Sequence, residues 1–109
     1  MKALFFSVLL LLAASGIAAA GEVYGTITEG GKPVAAGLKV EIKAKDAAYQ
    51  TETDKFGGYR IFVKEKGKCA LTLHVAEQAP SAELISYDKS TRYDWLLETA
   101  DGKLSLRRK

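Results

Sequence analysis

The chain has 109 residues, 48% hydrophobic and 27% charged, with a formal net charge of +3. That length suits one small domain, and the charge is too weak to point to nucleic acid. The sole cysteine, Cys69, excludes an internal disulfide, so the core must hold without covalent staples.

Residues 1–20 read as a secretory signal. Met1-Lys2 leads into an almost wholly apolar run from Leu4 to Leu12, and small residues end at Ala18-Ala19-Ala20. A membrane anchor needs about 20 uninterrupted apolar residues, whereas Ser15 and Gly16 loosen this segment. The expectation is a signal helix cut after Ala20, with no stable membrane anchor left. No cysteine follows the apolar run, so a lipidated N-terminal cysteine is excluded. The domain, residues 21–109, is then exported to the periplasm or the cell exterior. Losing Lys2 lowers the formal charge to +2. The basic end, with Lys103, Arg107, Arg108 and Lys109, reads as a solvated tail, docking on an anionic surface being the alternative.

The domain is patterned with period two. Val23, Gly25 and Ile27 alternate with Tyr24, Thr26 and Thr28. Glu29 to Pro33 breaks the pattern with two glycines and a proline. Leu38, Val40 and Ile42 then alternate with Lys39, Glu41 and Lys43, the clearest amphipathic strand. Tyr49, Thr51 and Thr53 enter a tight turn, and Tyr59, Ile61 and Val63 leave it. Asp54 can fold its carboxylate onto backbone N–H groups ahead of it, and Gly57 and Gly58 are expected to supply positive φ. After the turn at Glu65-Lys66-Gly67, Cys69 shares parity with Leu71, Leu73 and Val75 and should pack as a small apolar side chain. Ala76 to Ala82 reads as a crossing loop, with a single helical turn as the alternative. Leu84 to Tyr87 is a short strand. Tyr93, Trp95 and Leu97 alternate with Arg92, Asp94 and Leu96, and Ala100-Asp101-Gly102 turns into a last strand at Leu104 and Leu106. The pattern predicts an all-β, antiparallel sandwich of about seven or eight strands.

Four spaced blocks resemble the carboxypeptidase regulatory-like domain. They are Gly25-x-Ile27, Gly31-Lys32-Pro33-Val34 with Gly37, Val40 and Ile42, Thr53-Asp54 with Gly57, Tyr59 and Ile61, and Gly67 with Leu71, Leu73 and Val75. The resemblance covers about residues 22–76. It departs at Cys69, where the family more often carries an aromatic residue. It implies a transthyretin-like, Greek-key sandwich and a non-catalytic accessory module, of a kind often grouped with carbohydrate-binding-like folds. Residues 84–109 lie outside it.

Chemistry is thinly provisioned. A zinc site needs three or four ligands, and the chain has one histidine and one cysteine. His74 has the opposite parity to Leu73 and Val75 and should face solvent. There is no Gly-x-Ser-x-Gly elbow and no glycine-rich loop opening a helix. The chain lacks the histidine set and the C-terminal Tyr-Arg-Gly-Ser of the transthyretin-like hydroxyisourate hydrolases. It contains no asparagine for the Lys–Asn link of collagen-adhesin sandwiches. Asp46, Glu52 and Asp54 are too scattered for calcium. We therefore expect no catalytic residues, no metal and no cofactor. The aromatic residues remain. Phe56 sits at a turn tip, and Phe62 has the parity of charged neighbours. The stretch from Ser86 to Trp95 mixes aromatic and charged side chains, so Tyr87, Arg92, Tyr93 and Trp95, with Phe56, form the candidate recognition surface. Against this, Trp95 with Tyr93 and Leu97 most simply fills the space between the sheets, and the stretch is then a final strand pair whose Arg92 and Asp94 are merely solvated. The expected partner is carbohydrate or other envelope material, with a protein docked at a sheet edge as the alternative.

Overall fold

The computed structural model describes residues 21–109; residues 1–20, on which the signal expectation falls, lie outside the described residues. Ten strands follow in order: β1 Glu22–Glu29, β2 Lys32–Pro33, β3 Lys39–Lys43, β4 Ala48–Glu52, β5 Gly58–Phe62, β6 Gly67–Leu73, β7 Ser81–Ser86, β8 Thr91–Arg92, β9 Trp95–Ala100 and β10 Lys103–Arg108. They form a six-stranded and a four-stranded sheet, and no helix occurs among the described residues. The two inner faces share one core. Val23, Ile27 and Ile61 come from the larger sheet and Val40, Ile42, Leu71 and Leu73 from the smaller, and all are buried. Each such side chain contributes about 1.5–3 kcal/mol on leaving water.

The larger sheet is organised around β1, which is long enough to have different neighbours along its length. Its first half lies between β5 and β8, its second between β2 and β9, and β10 completes the edge beyond β9. The smaller sheet runs β4–β3–β6–β7, antiparallel throughout.

Three expectations need correction. The sheets are not wholly antiparallel, because β1 pairs in parallel with both β8 and β9. The chain leaves β7 in one sheet and enters the other beside β1, running in the same direction. The strands number ten rather than seven or eight. The glycine turn after β1 returns Lys32 and Pro33 to pair with Glu29 and Thr28, making β2. The expected strand through Tyr93 is split into β8 and β9. There the Asp94 carboxylate accepts the Thr26 N–H at 2.9 Å, a bond that a backbone carbonyl would otherwise take. Lastly, the Ala76–Ala82 region is not a crossing loop, nor the alternative helical turn: β6 and β7 are antiparallel neighbours in one sheet, Ser81 and Ala82 already belong to β7, and a bridge between Val75 and Gln78, with Ala76 at φ 55°, closes the turn between them.

Candidate functional site

The turn between β4 and β5 is built by Asp54. Its Oδ1 accepts from the N–H groups of Phe56 and Gly58, each at 2.8 Å. The same two bonds, that to Gly58 foremost, hold its carboxyl below the usual carboxylate range. Gly57 has φ 75°, and a Cβ there would stand 2.6 Å from the Ile27 carbonyl oxygen. Gly58 does not adopt positive φ, contrary to expectation. Its hydrogen side chain instead leaves room for the Asp54 carboxylate, which a Cβ would approach to 3.0 Å.

The turn thrusts Phe56 into solvent, 66% exposed, with Lys55 Nζ 5.2 Å from its ring centre. Tyr87, just after β7, is 44% exposed. Tyr93 and Trp95 are 5% and 1% exposed, so the recognition surface drawn through them is corrected. They stack 5.8 Å apart at an interplanar angle of 11°. Trp95 Nε1 donates to the Tyr59 hydroxyl at 2.9 Å, and that hydroxyl donates to the Tyr93 carbonyl at 2.7 Å. Burial pushes the Tyr59 phenol well above its ordinary pKa. These rings fill the core because each finds a partner for its polar atom.

Arg92 alone of the β8–β9 candidates belongs to an open surface. A groove of about 450 Å³ runs along the outer face of the larger sheet where β5 meets β4. Register brings Tyr24 of β1 beside Arg60 of β5 and Arg92 of β8. The two guanidinium carbons lie 5.3 and 6.0 Å from the Tyr24 ring centre. Each arginine is already paired. Arg60 Nη1 bonds Glu22, whose other oxygen accepts from Ser90 at 2.7 Å. Arg92 Nε bonds both oxygens of Asp94 at 3.1 and 3.0 Å, leaving its terminal nitrogens without a protein partner among the described residues. Burial opposes ionisation of Asp94. Bonds from Thr26 and Arg92 outweigh it and hold the carboxyl below its ordinary range. Glu52 on β4 closes the groove.

The sequence reading missed Tyr24, Arg60 and Glu22. The available signal was an aromatic and an arginine at solvent parity on two strands, but their pairing is long-range. The remaining chemical groups are quiet. Cys69 is buried, and burial, the largest influence, raises its thiol pKa. His74 Nε2 lies 3.3 Å from Glu41 Oε1. Among the described residues no three His, Cys, Asp or Glu side chains gather to hold a metal ion.

No protein-family model matches the chain, and no curated protein matches it. Among solved structures it is similar to part of a 9R-lipoxygenase from Cyanothece PCC8801, at 14% identity and a TM-score of 0.47. That alignment covers 84% of this chain and 20% of the lipoxygenase, so the chain spans about a fifth of that protein's length. A likeness this loose carries no argument about activity.

Proposed function

We propose that the chain is a small exported, non-catalytic module that binds carbohydrate or related envelope material in the groove over Tyr24. The carrying observation is the two arginines that line the groove, Arg60 and Arg92, each held by a carboxylate from beside it. Arg60–Glu22 and Arg92–Asp94 neutralise one another, yet unpaired guanidinium N–H groups and the Glu52 carboxylate remain to serve a ligand. Matched donors and acceptors in fixed planes suit a hydroxyl-rich, uncharged ligand. Trp95 offers no stacking platform, because that ring is buried. The resemblance to the carboxypeptidase regulatory-like domain, with its Greek-key topology, supplies the frame for this reading. Export by a signal cut after Ala20 supplies its setting, and N-terminal sequencing should return Gly21 as the first residue.

The second reading, protein docking at a sheet edge, is favoured by the lysine-free edge strand β7. A glycan array run beside a pull-down from envelope extract separates the two. The sugar reading expects signal on neutral glycans that falls at least about tenfold, about 1.4 kcal/mol, in Arg92→Ala. Capture of one defined protein without glycan signal would replace it with docking.

A further inference from the structure

The corner where β7 meets β10 is fastened at two points by side chains. Gln78 accepts the Leu104 N–H at 2.9 Å through Oε1 and donates to the Gly102 carbonyl at 3.0 Å through Nε2. Further along, the Tyr93 hydroxyl accepts the Ile85 N–H at 3.1 Å and donates to the Ile85 carbonyl at 2.8 Å. Beside this second fastening lies a cavity of about 270 Å³ that opens to solvent. Its lining includes Lys68, Glu83, Ile85, Tyr87, Tyr93 and Arg108.

Charge in this cavity is unbalanced. Arg60, Arg92 and Arg107 pair with Glu22, Asp94 and Glu98 respectively. Arg108 is the remaining arginine of the chain, and among the described residues it has no carboxylate partner. Its guanidinium is held all the same. The central carbon lies 4.5 Å from the Tyr93 ring centre, and the Tyr93 hydroxyl ties that ring to β7. Lys68 adds a second cation with no ion-pair partner among the described residues. Register pairs Lys68 with Ile85, so the cation and an exposed apolar side chain stand side by side on one face. Tyr87 exposes a second large apolar surface. The single carboxylate, Glu83, pairs with Ala70 instead, two residues or about 7 Å along β7 from Ile85.

We propose that this cavity binds a small organic anion, a carboxylate carried on an apolar ring. A planar guanidinium held in place matches the two oxygens of a carboxylate, and Lys68 adds a point charge. Ile85 and Tyr87 receive the ring, which a bare inorganic anion would leave uncovered. The volume falls just below the usual range of small-molecule sites, which limits the occupant to about one ring. The cavity shares no lining residue with the Tyr24 groove, so its ligand is independent of what that groove binds.

Amide-resolved titrations of the full domain with benzoate, acetate and benzyl alcohol separate the charge from the ring. Benzoate should shift Lys68, Ile85 and Tyr87 and saturate, and acetate and benzyl alcohol should each bind about tenfold or more weaker. Arg108→Gln and Lys68→Gln should each weaken benzoate by about tenfold, whereas Arg107→Gln, which touches only the Glu98 pair, should not. Lys68→Gln alters a surface side chain and keeps the test open should the Arg108 variant fold poorly. Acetate binding as tightly as benzoate would leave the ring without a role, and benzyl alcohol doing so would leave the cations without one. Either result overturns the proposal, as does benzoate affinity unchanged in both variants. Benzoate shifts confined to Thr26, Gly58 and Arg60 would place the anion in the Tyr24 groove and overturn it too.

Discussion

The Tyr59 hydroxyl joins three aromatic residues that no local pattern connects. It accepts from Trp95 and donates to the Tyr93 backbone. Tyr59→Phe strands an indole N–H and a carbonyl in the core, and should cost about 1–3 kcal/mol. Chemical denaturation followed by Trp95 fluorescence reads that loss directly. Ser86 is the opposite case. Its hydroxyl is buried and has no partner among the described residues. Ser86→Ala should therefore leave stability unchanged or raise it by about 1 kcal/mol, and a clear loss in the same melt would refute the orphan. Asp54 ties stability to pH. Its folded pKa is lowered from an ordinary value of 3.8, so its contribution is full above that pH and is lost as pH falls through the folded value. Asp54→Ala should melt below the wild type at pH 7, and the gap should close in acid. A gap independent of pH would remove the carboxylate from the account. Asp54 was legible as a turn-former because its bonds reach only two and four residues ahead.

Strands were legible where side chains alternate, and illegible where pairing is decided at a distance. The alternation of Val40 and Ile42 with Glu41 and Lys43 marks β3 without further help. Nothing local reveals that β8 and β9 lie parallel to β1, because direction depends on how the chain crosses between sheets. Nor does the alternation through Asp94 reveal a break, since Asp94 keeps its parity while its carboxylate takes a ladder bond. Tyr93 belongs to this scale too, because its hydroxyl takes both the N–H and the carbonyl of Ile85 on β7. Tyr93→Phe should free both backbone groups of Ile85 at the edge of the smaller sheet. The variant should self-associate at concentrations where the wild type does not, as read by sedimentation velocity. Identical sedimentation of the two would show that the hydroxyl guards nothing.

Across residues 21–109, two sheets enclose one core, held without a disulfide because Cys69 is the sole cysteine. Leu71, fully buried between the sheets, should cost about 2–5 kcal/mol when changed to alanine, measured by chemical denaturation. The candidate site was only partly legible. Arg92 was visible as a charged residue among aromatics, but its ring partner Tyr24 and the facing Arg60 come from other strands. Trp95 stood both as a surface candidate and as a core ring, and the core reading holds, because a tryptophan beside charges looks the same in sequence whether its ring turns in or out. An amide-resolved titration of the purified protein with a neutral hexose oligomer tests most directly whether the groove over Tyr24 binds without chemistry. Thr26, Gly58 and Arg60 should shift and saturate, these shifts should vanish in Arg92→Ala, and the oligomer should remain intact. Unmoved groove amides at any sugar concentration, or breakdown of the oligomer, would contradict the account.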